Sequence, residues 1–184
     1  MLIDIDTGAL DVLTTAIPAP NFPTVTPWDT LLVSDANDAI WEVDAAGTTT
    51  EWLAIDGPNG TAFSSDGRTL WAVNTWNSPA PVWQIAIDGE QPGAVTEVAS
   101  FDGGNFPDGV ALGASGDLYV SLNLTGLVAR VTPEGNTETV AEGVDYTASI
   151  AFPPSGMWDP CSLYSTSLFG PSVFRVSVGE PGLP

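Results

Sequence analysis

GPNGTAFSSDGRTLWAVNTWNSPAPVWQIAIDGEQPGAVTEVASF, residues 57–101, contains four short apolar runs, TAFS, LWAVN, VWQIAID and VTEVASF, separated by turn residues. The runs are rich in β-branched and aromatic side chains, and the breaks at Asp66-Gly67 and Asp88-Gly89 have the composition of hairpin turns. The stretch therefore predicts four antiparallel strands. Its grammar recurs in DTLLVSDANDAIWEVDAAGTTTEWLA (29–54), GDLYVSLNLTGLVARVTPEGNTETVAEG (116–143) and CSLYSTSLFGPSVFRVSVGEPG (161–182). The short runs GVAL (109–112) and SIAF (149–152) precede the last two units as TAFS precedes LWAVN. Repeated four-stranded units of about 35–50 residues are the signature of a β-propeller, in which neighbouring blades bury each other's faces. Trp41, Trp52, Trp71 and Trp83 fall inside these strands, where packing between blades is their expected role.

The expected fold class is all-β, a β-propeller built from four-stranded antiparallel sheets. Residues 1–184 read as a single domain with blades at approximately 1–20, 21–56, 57–104, 105–145 and 146–184, the first and last of them partial. Residues 1–17 match only the outer two strands of a blade, and the last unit stops before its final strand. An incomplete propeller is the expectation.

Asp and Glu number 23 whereas Lys and Arg number 3 (Arg68, Arg130 and Arg175), so the net charge of −20 comes from missing basic residues. That balance excludes nucleic acid and anionic membrane as partners, because both require a Lys/Arg surface to displace counterions. Cations and neutral or polar small molecules remain. A hydrophobic fraction of 43% and a mean hydropathy of +0.16 argue for a folded core rather than disorder. Cys161 is alone, which rules out an internal disulfide and leaves the redox compartment open. No run approaches the roughly 18 apolar residues of a membrane-spanning helix, and MLIDIDTGALDV lacks the basic and apolar regions of a signal peptide, so localisation is otherwise undetermined.

Aligned at the entrance to each innermost strand, the units open FPT (22–24), GPNG (57–60), FPDG (106–109) and YTAS (146–149). Pro58 fixes one backbone angle and Gly60 tolerates positive φ, which accounts for a turn but not for the residue between them. The slot after Pro holds Thr24, Asn59 and Asp108, with Ala148 or Thr147 in the last unit. In a propeller this slot starts the strand lining the central channel, so side chains from different blades converge. Asn and Asp supply hard oxygen donors suited to Ca²⁺, Mg²⁺ or Mn²⁺ and, with a carboxylate, to Zn²⁺. Both residues also cap corners as Asx-turns, and spacing leaves the two roles open.

At these positions the sequence resembles the SMP-30/gluconolactonase/LRE family of six-bladed propellers. GPNGTAFSSDGRTLWAVNT is similar to the family's Pro-Asn-Gly blade, and FPDGVALGASGDLYVSLNLTGLVARVTPEG to its Pro-Asp-Gly blade. ASIAFPPSGMWDPCSLYSTSLFGPSVFRVSVGEPG resembles the closing blade with its LYxTS strand. The resemblance implies about four of six blades, with Asn59 and Asp108 as ligands of one divalent metal, Ca²⁺ foremost. It further implies that the metal polarises the carbonyl of a lactone or related ester while Asp108 acts as catalytic base for the attacking water. Two features depart from the family pattern. A third ligand, a Glu near the start of the first blade, has no counterpart in residues 1–20. The blade before Pro-Asn-Gly lacks the Asn-Asp and Arg expected to bind substrate, offering only Asn21 and Thr24 in PAPNFPTVTPWDT.

Two further expectations stand beside the lactonase. One is a non-catalytic propeller scaffold, NHL-like or strictosidine-synthase-like, in which Asn59 and Asp108 are turn residues. The other is self-association through exposed blade edges.

Overall fold

Each apolar run forms a strand, and successive strands pair with their chain neighbours. The computed structural model describes residues 2–154, 156 and 158–183, and among these it contains strands and turns but no helix. A two-stranded ribbon, β1 (Leu2–Ile3) with β2 (Leu10–Asp11), comes first. Blade I consists of β3 (Pro20–Val25), β4 (Leu31–Asp35), β5 (Ala39–Val43) and β6 (Thr49–Ala54). Blade II consists of β7 (Pro58–Phe63), β8 (Thr69–Asn74), β9 (Ala80–Asp88) and β10 (Gln91–Phe101). Blade III consists of β11 (Pro107–Leu112), β12 (Leu118–Leu122), β13 (Leu127–Val131) and β14 (Thr137–Glu142). In blade IV, β15 (Thr147–Ala151), β16 (Ser162–Ser167) and β17 (Val173–Ser177) make a three-stranded sheet. All pairings are antiparallel in meander order, the topology of propeller blades. Gly67 and Gly89 adopt left-handed φ of 66° in the turns read as hairpins.

Successive side chains on a strand point to opposite faces, so a blade with two buried faces reads as nearly continuous apolar sequence. In β8, Leu70 and Ala72 join Leu32, Ile40 and Trp52 of blade I, whereas Trp71 and Val73 join Val110, Leu118 and Val120 of blade III. In β12, Tyr119 faces the other way, toward Ile150, Leu163 and Val176 of blade IV. The core is thus three slabs, one between each pair of blades. Trp52, Trp71 and Trp83 are buried in these slabs, and Trp52 Nε1 donates to the Glu90 carbonyl of the next blade at 2.9 Å. Trp41 packs on the outer flank of blade I with Leu13 and Ile17. After β17 the chain crosses to the far end of β11, where Gly182 bridges Gly113 and Glu180 accepts the Tyr119 hydroxyl at 2.7 Å.

The innermost strands β3, β7, β11 and β15 lie side by side around the channel, and each begins with a bulge. Pro58 pairs with Asn74 and Thr61 with Ala72, so the inner strand carries one extra residue; Pro107/Val110, Thr147/Ile150 and Pro20/Pro23 repeat the pattern. This corrects the turn reading of Pro-x-Gly. Gly60 and Gly109 lie within strands and are not left-handed. Their lack of a side chain permits close approach instead: a methyl at Gly60 would overlap the Asp108 carbonyl, and one at Gly109 the Ala148 carbonyl. Gly109→Ala is expected to lower the unfolding free energy by about 1–3 kcal/mol, the usual cost of an overpacked contact, in urea titrations followed by Trp fluorescence. An unchanged midpoint would show that the strands can separate freely.

Candidate functional site

The bulge register decides which residues share the channel ring. The position after Pro20, Pro58, Pro107 and Thr147 holds Asn21, Asn59, Asp108 and Ala148. Thr24, expected in this slot from the FPT alignment, sits three residues further along β3, where its Oγ1 lies 2.6 Å from Thr61 Oγ1 and ties blade I to blade II. Thr147 also falls outside the slot, its hydroxyl paired with Ser165 at 2.5 Å. By pairing register the equivalent of Pro58 is Pro20, three residues before Pro23, because each opens the bulge of its inner strand.

Asn59 and Asp108, distant in sequence, are brought together. Asn59 is buried, 5% exposed, and its Nδ2 donates to Thr75 Oγ1 at 2.7 Å. The Thr75 hydroxyl in turn donates to the Pro107 carbonyl at 2.5 Å, linking blade II to blade III beside Asp108. Asn59 Oδ1 has no hydrogen-bond partner although it is buried. Burial pushes the Asp108 carboxyl above the ordinary carboxylate range, opposed by the amide of Asn123 and more weakly by that of Asn59. Asn123 Nδ2 donates to Asp108 Oδ2 at 3.2 Å. Thr75 and Asn123 escaped the sequence reading. Both are the first residue after the second strand of their blade, and only the register identifies that position as adjacent to the channel.

Among the described residues no three His, Cys, Asp or Glu side chains converge on one point. Asn21 occupies the ring position in blade I but is exposed and lines a cavity of about 450 Å³ between residues 13–17 and the flank of that blade. The donors at this end of the channel are therefore Asn59 Oδ1 and the Asp108 carboxylate. A buried amide oxygen without a partner costs on the order of 1–3 kcal/mol, and an oxygen-seeking cation would satisfy it. On the donor chemistry, the pair fits a divalent ion held largely by water.

Two aromatic pairs flank this mouth. Phe106 and Tyr146, each one residue before an inner strand, have left-handed φ of 52° and 54°, which costs an L-residue roughly 1–2 kcal/mol. Phe106 packs edge to face on Trp76 at 5.8 Å and Tyr146 on Phe169 at 5.2 Å. Arg68, Arg130 and Arg175 all map by register to the opposite end of the inner strands. Farther along the inner strands lies a cavity of about 410 Å³ lined by Thr24, Thr61, Val110, Ile150 and Leu183 among others.

The sequence profile of the SMP-30/Gluconolactonase/LRE-like region matches residues 21–168. The chain belongs to this family. Among solved structures, the SMP-30/gluconolactonase/LRE-like chain is similar to regucalcin, a calcium-binding protein from Agrobacterium tumefaciens str. C58, at 22% identity and a TM-score of 0.72, covering 98% of this chain and 69% of that one. It is similar to a gluconolactonase from Xanthomonas campestris at 19% identity and a TM-score of 0.76, over 98% of this chain and 64% of that one. A chain of the nidogen/laminin complex matches at 19% identity and a TM-score of 0.65, over 81% of this chain and 55% of that one. The chain thus spans less than two thirds of the gluconolactonase and nidogen/laminin chains. TM-scores of 0.65 to 0.76 at such low identities establish the shared propeller fold alone. Comparison with curated protein sequences returns no match.

Proposed function

We propose that this propeller binds a divalent cation, Ca²⁺ foremost, through Asn59 and Asp108, and hydrolyses a neutral lactone or related ester. The carrying observation is the buried, unpartnered Oδ1 of Asn59, a side chain whose amide reaches the Asp108 carboxylate of the next blade. The calcium-binding and gluconolactonase descriptions of two structural relatives support the same reading. When bound, the cation would supply Lewis acidity to the lactone carbonyl. Asn59 and Asp108 would hold it, and the Asp108 carboxylate would accept the proton of the attacking water. Phe106, Trp76, Tyr146 and Phe169 wall the mouth and favour a substrate with an apolar ring face. The absence of arginine there, with a net charge of −20, disfavours an anionic one.

Two protein ligands place the affinity in the weak range for calcium, with Kd of about 10⁻⁴–10⁻³ M. At tenfold excess over Kd, binding to the folded state contributes about 1.4 kcal/mol and raises the thermal midpoint by roughly 3–5 °C. Calorimetry at about 10 mM Ca²⁺, against NaCl of equal ionic strength to screen the acidic surface, tests binding. Assay of δ- and γ-lactones by pH-stat tests turnover. Equal midpoints in both salts would leave a propeller scaffold as the reading.

A further inference from the structure

Each ring position on the inner strands has a neighbour, the residue immediately after the second strand of the same blade. In blades I to IV the residues in this place are Ala36, Thr75, Asn123 and Leu168, of which Thr75 contacts Asn59 and Asn123 contacts Asp108. Polar neighbours occur in the two blades whose ring residue carries a buried or half-buried oxygen donor. Their chemistry is matched to that residue. Asn59 meets a hydroxyl that accepts from Nδ2 and whose own proton goes to the Pro107 carbonyl, so Thr75 cannot donate to Asn59 Oδ1. Asp108, an acceptor, meets the Nδ2 donor of Asn123, which occupies Oδ2. An Asn at position 75 would instead offer Asn59 a second donor able to occupy its free oxygen.

We infer that Thr75 is a positioning residue for cation binding: by capturing the Asn59 amide nitrogen while its own proton is committed to Pro107, it leaves the Asn59 amide oxygen unpaired for a divalent cation. Asn123 plays the parallel part at Asp108, holding one carboxylate oxygen and leaving the other. This inference rests on the proposed metal site and adds to it the residue that fixes which atom of Asn59 is offered. Without the Thr75 hydroxyl, the Asn59 nitrogen keeps only the weaker contact that it already makes with the Asp108 carboxylate, and the amide loses its fixed orientation.

The test uses the whole chain, with CaCl₂ titrated calorimetrically into the unchanged protein, Thr75→Val and Thr75→Ser, alongside the thermal midpoint of each without calcium. Thr75→Val is expected to weaken Ca²⁺ binding about tenfold, within the usual range for groups that orient a metal ligand, and Thr75→Ser to restore it to within about twofold. A purely structural role would lower the metal-free midpoint while leaving the affinity of the folded protein unchanged, and that result overturns the inference alone. Failure of the unchanged protein to bind Ca²⁺ would instead remove the metal site and this role with it. Should Thr75→Val not fold, Thr75→Ser against Thr75→Ala carries the same comparison.

Discussion

Asp108→Asn is expected to abolish the specific part of the Ca²⁺-dependent rise in thermal midpoint while leaving the metal-free protein at least as stable as before. The substitution keeps the shape of the side chain and its contact with Asn123 but removes the only carboxylate charge at the ring, and affinity for calcium falls with ligand charge. It also removes the cost of holding a charge in a half-buried position, the cost that raises the Asp108 carboxyl above its ordinary range. Opposite movements of binding and metal-free stability would mark a residue kept for function rather than for folding. The substitution changes one of 23 acidic residues, so non-specific screening of the acidic surface by Ca²⁺ stays nearly constant. Persistence of the full Ca²⁺ shift in Asp108→Asn would place the ion elsewhere and end the lactonase proposal.

Trp71→Ala is expected to cost about 3–5 kcal/mol of unfolding free energy. Trp71 is 3% exposed and belongs to the slab joining blades II and III, together with Val73, Phe101, Val110 and Leu118. Removing the indole opens a cavity between two sheets whose approach is set by many other contacts, so the gap cannot close. Against the roughly 5–15 kcal/mol that typical domains possess, such a loss brings the chain near its unfolding threshold. Trp76→Ala is the control. Trp76 is 64% exposed and its ring packs edge to face on Phe106, so the cost should stay below about 1 kcal/mol. Comparable losses from the two substitutions, measured by denaturant titration, would contradict slab packing as the source of stability.

Strand identity was legible because propeller strands buried on both faces are apolar almost throughout, as in LWAVN and LYVSL, and because Gly67 and Gly89 sit where left-handed turns demand glycine. Resemblance of GPNG and FPDG to one family named Asn59 and Asp108. Thr24 was placed wrongly for a physical reason: a bulge adds one residue to the inner strand, and no local sequence cue distinguishes Pro20-Asn21 from Pro23-Thr24 as its start. The glycine of each motif was credited to a turn, yet the cause of its presence is the backbone of the adjacent blade.

The sequence by itself determined an all-β repeat, its turn positions, an acidic surface and two oxygen-bearing residues in equivalent slots, because period-two burial and turn chemistry are local properties of a chain. Tertiary structure alone decided that Thr75 captures the Asn59 nitrogen, that the Asn59 oxygen is left buried without a partner, and that Asn123 stands against Asp108. Those relations depend on strand register and on the spacing between blades, and a hydrogen bond reaches only about 3 Å, so they exist only once the sheets have packed.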